Sequence, residues 1–181
     1  MARVYTLVNR YVGVTKHTHL LNPRAVDSLL GVNLQAGGAQ PVACGFWRGT
    51  VEQLGLTPAQ VEDLCAVHEL YTRYVTPVLA ERAALQARVG RSGDLSTEME
   101  TSDALSANLK KELALRLLLH AFTFDRVFTP LQMAVGAVGS FPMFPDVYAM
   151  VTLTARGVEE QQAPGAPRQP LFPAPAPQGG G

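Results

Sequence analysis

Two copies of one short pattern constrain this chain more than any other feature: Leu56-Thr57-Pro58-Ala59-Gln60-Val61 and Phe128-Thr129-Pro130-Leu131-Gln132-Met133. Each spells a helix start. Thr is the N-cap, Pro occupies the first helical position where its missing N–H costs nothing, and Gln stands three residues after Thr, in reach of the cap's own N–H. Helices therefore begin at Pro58 and Pro130, and the segments around them carry the spacing of helix packing.

From Pro58 onward a 3.5-residue repeat places Val61, Leu64, His68, Tyr71, Val75, Val78, Arg82, Leu85 and Val89 on one stripe. The flanking positions include Cys65, Val67, Thr72, Tyr74 and Leu79, so the apolar face is wider than a zipper seam and suits a globular core. A homodimer through the 58–89 stripe is the competing expectation. Pro77 predicts a kink or break near Thr72 to Thr76, because it withdraws a backbone donor and crowds the preceding turn.

The segment Gly90 to Asp103 is rich in Ser, Thr and acid, and predicts a solvated linker. A helix follows over about 104–127. Leu105, Leu109, Leu113 and Leu117 share one face. From Leu113 onward Leu115, Leu118, Leu119 and Phe122 make it apolar nearly all round, the mark of a central helix. After Thr129 a short helix over 130–138 carries the small residues Gly136, Ala137 and Gly139, which admit a close neighbour. Phe141 and Phe144 anchor the turn Ser140-Phe141-Pro142-Met143-Phe144-Pro145-Asp146, and a last helix over about 146–155 opens on an acid at its positive end.

The N-terminal part is less legible. Residues 1–20 fit a strand through Tyr5, Leu7, Val12 and Val14, or a helix through Val4, Leu7, Val8 and Tyr11. A short helix over 23–30 is bounded by Asn22-Pro23 and Gly31. Residues 35–49, punctuated by Gly37-Gly38, Pro41, Gly45 and Gly49, read as a loop holding Trp47, followed by a brief turn at Thr50-Val51-Glu52-Gln53. The whole is mainly α, a small helical bundle: an irregular, short-helix region over 1–55, a helical domain over 56–156, and a Pro/Gly/Ala-rich tail over 157–181 whose composition predicts disorder.

Composition removes several functions. The chain of 181 residues has a net charge of zero, so it lacks the basic excess that neutralises phosphates, and direct nucleic-acid binding is not expected. Only 17% of residues are charged, which leaves surface to bury against a partner. Cys44 and Cys65 form neither a CxxC pair nor a zinc spacing. Apolar stretches at 113–128 and 131–151 are interrupted by charges or prolines and fall short of a membrane span. Acid-free, basic residues 1–26 are compatible with organelle import, the lesser expectation beside a folded N-terminal element.

Paired catalytic carboxylates, a nucleophile elbow, a Walker loop and a dinucleotide fingerprint are all missing, so no enzyme is expected. Gly136-Ala137-Val138-Gly139 lacks the strand-turn context of a phosphate loop. Asp125-Arg126 suggests a local charge pair. His17-Thr18-His19 has no nearby ligand to complete a metal set, and no metal or cofactor is expected. His68 and His120 sit on apolar helix faces. They are core or interface imidazoles, or, as the alternative function, ligands of a haem or small molecule held between helices.

From Leu56 to Val151 the chain resembles the helical region that follows the zipper in certain basic leucine-zipper transcription-factor-like proteins of green algae. The residues that carry the resemblance are the Leu64 to Arg88 helix with His68 and Leu79-Ala80-Glu81-Arg82, then Phe128-Thr129-Pro130-Leu131-Gln132-Met133 and Ser140-Phe141-Pro142-Met143-Phe144-Pro145-Asp146. The resemblance implies an accessory helical domain of a transcriptional regulator, and with it the nucleus. The basic region that reads DNA in such proteins is missing here, so no DNA-contacting residue is implied. A non-enzymatic protein-interaction module follows, with Trp47, Tyr71, Tyr74, Phe141 and Phe144 as its candidate anchors.

Overall fold

Both repeated patterns form the caps their spacing demands. In a computed structural model, which describes residues 2–40, 42, 44–91 and 93–162, the Thr57 and Thr129 hydroxyls accept from the N–H groups of Gln60 and Gln132. The two glutamines reach back to the Thr57 and Thr129 N–H groups at 3.0 and 2.9 Å. These caps open α4 (Pro58–Gln86) and α6 (Pro130–Gly139).

The remaining described elements are, in chain order, α1 (Ala2–Leu21), α2 (Pro23–Leu29), a two-residue hairpin of β1 (Val32–Asn33) and β2 (Gly38–Ala39), α3 (Cys44–Gln53), α5 (Leu95–Phe122) and α7 (Val147–Gln162). The architecture is mainly α, a helical bundle as the patterning predicts. The ambiguity over residues 1–20 resolves as helix, because Val8 and Val12, one turn apart, enter the core together.

Several boundaries differ from expectation. The loop expected over 35–49 is partly the hairpin, with Val32 opposite Ala39 and Asn33 opposite Gly38. Residues 44–49 lie in α3, whose Gly45 and Gly49 are tolerated because Trp47, Thr50, Val51 and Leu54 bury one face of that region. The linker expected over 90–103 shrinks, because the Asp94 carboxylate caps a helix that starts at Leu95 by accepting from Ser96 and Thr97. Helix α4 runs unbroken past Pro77, which faces solvent. At the other end of the chain, α7 extends to Gln162, so the proposed tail cannot begin at 157; its remainder over 163–181 lies outside the described residues.

Helices α4 and α5 pack antiparallel. Near one end the Lys111 ammonium bonds the Glu81 carboxylate at 2.9 Å, and near the other the Gln60 amide donates to the carbonyl of Val127 at 2.6 Å. At the first of these ends, sharing Glu81, lies a buried polar knot. Asn108, with no exposed surface, donates to the Val78 carbonyl at 2.8 Å and to Glu81 at 2.9 Å, and accepts from Arg82 Nε at 3.0 Å. Arg82 and Arg116 flank Glu112 at 2.5 and 2.9 Å. Helix α7 lies against α4 in the opposite direction, with Tyr148 beside Tyr71 (ring centroids 5.3 Å apart) and Glu159 near Cys65 and His68. Helix α3 fills the space between α6 and α7, and α1 crosses α6 and the end of α5. The shared core includes Leu64, Val75, Leu119, Met150 and Val151.

Candidate functional site

The α4 stripe, expected to pack in a globular core with a homodimer as the competing reading, is largely consumed inside the chain. Leu64, Tyr71, Val75 and Leu85 are buried, and His68, Val78 and Arg82 are half-buried. What α4 leaves open is the neighbouring face. Val67, Leu70 and Tyr74, at i, i+3 and i+7, line a groove whose other wall is Leu115, Leu118 and Phe122 of α5; Tyr71 and Leu119 form its floor. Its volume is about 720 Å³. Leu70, Tyr74, Leu118 and Phe122 are all exposed, Leu118 at 66%. The run from Leu113 to Phe122 is therefore not apolar all round because it is central. Its excess apolar side is an open wall.

One end of the groove is charged. Asp63 comes from the second turn of α4, and Asp125 and Arg126 from the π-helical turn Thr123–Val127 that ends α5. That wider turn is closed by a bond from the Phe128 N–H to the Thr123 carbonyl at 2.9 Å. It buries Thr123, Val127 and Phe128 while leaving Asp125 and Arg126 exposed. Asp125 pairs with Lys16 of α1 rather than with Arg126, the partner its sequence neighbour suggested.

The five aromatic candidates separate. Tyr74 stands in the groove wall and is 56% exposed. Phe141 is exposed on the turn before α7, away from the groove, and Phe144 on the same turn is half-buried. Trp47 and Tyr71 are core residues, each only 8% exposed: Trp47 stacks edge-on against Phe46, and Tyr71 meets Tyr148 and takes a hydrogen bond from Arg116. They are corrected from surface anchors to packing residues. Leu70, Leu118 and Phe122 are not among the candidate anchors, and the sequence places Leu118 and Phe122 in a central helix. Their signal was a helix pair with more apolar faces than one core can cover.

Neither candidate imidazole lines the groove. His68 faces α7, where burial pulls its pKa below the ordinary value despite the carboxylate of Glu159. His120 is buried, edge-on to Phe124. His17 is exposed and bonds the Gly13 carbonyl at 2.7 Å, and the His19 side chain lies outside what is described. Cys65 is a free thiol that burial makes harder to ionise. The Cys44 side chain is likewise outside the described residues. Among the described residues no three His, Cys, Asp or Glu side chains come together as a metal set, and no helix is long and apolar enough to cross a membrane.

Fold and site together define a helical bundle with an apolar two-helix groove, charged with both signs at one mouth. Comparison with protein-family models, with curated proteins and with solved structures finds no match for this chain.

Proposed function

We propose that this chain is a non-enzymatic protein-interaction module, and that its working surface is the α4–α5 groove. One observation carries the reading: four large apolar side chains, Leu70, Tyr74, Leu118 and Phe122, stand exposed around a single concavity between two helices. Contiguous apolar surface of this kind is costly to leave in water and marks interaction sites. An aromatic residue beside leucines gives such a site the composition of an interface core, and the charges at one mouth give a partner its direction. The resemblance of residues 56–151 to the accessory helical region of zipper-type regulators supports a role in transcriptional regulation without DNA contact.

A small apolar molecule is the competing occupant, since the volume falls in the range of ligand pockets. The groove has few polar groups to orient such a molecule, and the histidines proposed as ligands of a haem lie elsewhere. The test is capture of proteins from native cells on the tagged full chain, run beside the Leu118→Asp variant. Proteins held by the wild type and lost by the variant support the reading. An identical set on both removes the groove as the working surface. Titration of the purified chain with haemin decides the competing function, which needs a Soret shift abolished by His68→Ala or His120→Ala.

A further inference from the structure

Charge bounds the groove at both ends. At the mouth stand Asp63 of α4 and Arg126 of the turn that ends α5, both exposed, beside Asp125, whose charge is answered by Lys16. At the far end the same two faces run on to Glu81 and Lys111. Glu81 follows Asp63 by about five helical turns, and Lys111 precedes Leu115 by about one. These two side chains pair at 2.9 Å and remain about half exposed. With Asp125 neutralised by Lys16, α4 offers negative charge at both ends of the groove and α5 positive charge at both. The exposed apolar side chains lie between. The bonds from Gln60 to Val127 and from Lys111 to Glu81 set Asp63 level with Arg126, and Glu81 level with Lys111.

Such a face is half of a four-helix bundle, with the apolar centre and charged edge of an association surface. A second copy can cover it about either of two twofold axes lying between the copies. An axis running across the helices sets α4 on the partner's α4 and α5 on the partner's α5. Asp63 then meets the partner's Glu81, and Arg126 meets the partner's Lys111, like charge on like. An axis running along the helices sets α4 on the partner's α5 at equal height. Asp63 then meets the partner's Arg126, Glu81 meets the partner's Lys111, and every pair of neighbouring helices is antiparallel. Ala66 and Ala121, small residues of the groove, let the backbones approach in that arrangement. The four exposed apolar side chains hold on the order of 400 Å² per copy, close to half of the ~800 Å² per partner in a standard interface.

We propose that the α4–α5 groove is covered by the same groove of a second copy, in a twofold dimer whose axis runs along the helices and completes an antiparallel four-helix bundle. The seam lies beside the buried stripe of α4, not on it. The inference rests on the groove being the interaction surface, and names its partner.

The test is sedimentation of the full chain across a wide concentration range. A reversible dimer is expected, weakened roughly hundredfold or more by Leu118→Asp, which sets two carboxylates in the apolar centre. Charge reversal identifies the axis. Asp63→Arg alone, or Arg126→Asp alone, places like charges together twice per dimer and weakens it roughly tenfold. An equimolar mixture of these two variants restores both attractions and regains the wild-type affinity as a heterodimer, which also shows that both are folded. All three positions are exposed, so the substitutions leave the core intact. A monomer throughout, or a dimer indifferent to Leu118→Asp, overturns the proposal. So do single reversals that leave the dimer unchanged or tighten it, and a mixture that recovers nothing. Capture from native cells then separates the two readings. Proteins lost with Leu118→Asp keep the groove and remove the second copy, whereas a set indifferent to that variant removes both.

Discussion

The side-chain amides of Gln60 and Gln132 bond each other reciprocally, with Nε2 to Oε1 distances of 2.8 and 3.0 Å. These are the third helical residues of the two repeated caps. Each Oε1 also accepts from its own cap N–H, and each Nε2 also donates to a carbonyl beyond the partner helix, Val127 for Gln60 and Leu54 for Gln132. One amide thus caps its own helix, joins it to the other helix, and satisfies a carbonyl at the end of a preceding helical segment that would otherwise lose hydration. Truncating Gln132, which is buried, leaves the Leu54 carbonyl and the Gln60 amide without that partner. Gln132→Ala is expected to cost about 2–4 kcal/mol in urea unfolding. Gln60→Ala costs less, and the double variant costs less than the sum because the pair is one unit.

Asn108 holds α4 and α5 in register through three bonds made with no exposed surface. A leucine of similar size fills the space but strands Arg82 Nε and breaks the bond to Val78. Asn108→Leu is expected to lower stability by about 2–3 kcal/mol, read from the midpoint of chemical unfolding. An unchanged midpoint would show that packing alone sets the register.

Leu118 and Leu119 are neighbours in sequence with opposite environments, the first exposed in the groove and the second 2% exposed in the core. Leu119→Ala is expected to destabilise by about 2–5 kcal/mol, whereas Leu118→Ala stays within about 0.5 kcal/mol. In capture or dye binding the order reverses for folded protein, with Leu118→Ala the more damaging.

Asp146 caps α7 by accepting from the Ala149 N–H at 2.9 Å, yet burial raises its pKa above the ordinary carboxylate value, outweighing that bond and the nearby Arg116. The folded chain therefore holds a proton on Asp146 at pH values where the unfolded chain has released it. Between the unfolded and folded pKa values the folded state binds more protons, so this group's contribution to stability falls as pH rises through that window and stays unfavourable above it. Asp146→Asn keeps the cap and removes the ionisation. It is expected to raise the melting temperature at neutral pH, with the advantage shrinking as pH drops toward the ordinary carboxylate value. A difference independent of pH would sink this account.

What was legible in the sequence is what depends on a few adjacent residues. A cap needs only Thr, Pro and Gln within one turn, so both starts at Pro58 and Pro130 stand where the sequence put them. Apolar spacing likewise marks Leu64 and Val75 as core. Helix α3 and the first two turns of α5 escaped notice because glycines and polar residues there are held by tertiary burial and by the Asp94 cap, which outweigh weak local preference.

The sequence by itself determined where the helices begin and that they carry more apolar surface than a single stripe. Only the tertiary structure decided that the two cap glutamines meet, that Trp47 and Tyr71 turn inward, and that Leu70, Tyr74, Leu118 and Phe122 face an open groove. Capping is settled within three residues, whereas the exposed side of a helix that is apolar on several faces depends on which distant elements arrive to cover it. Here α5, α7 and the core take one arc of α4, and nothing among the described residues takes the next.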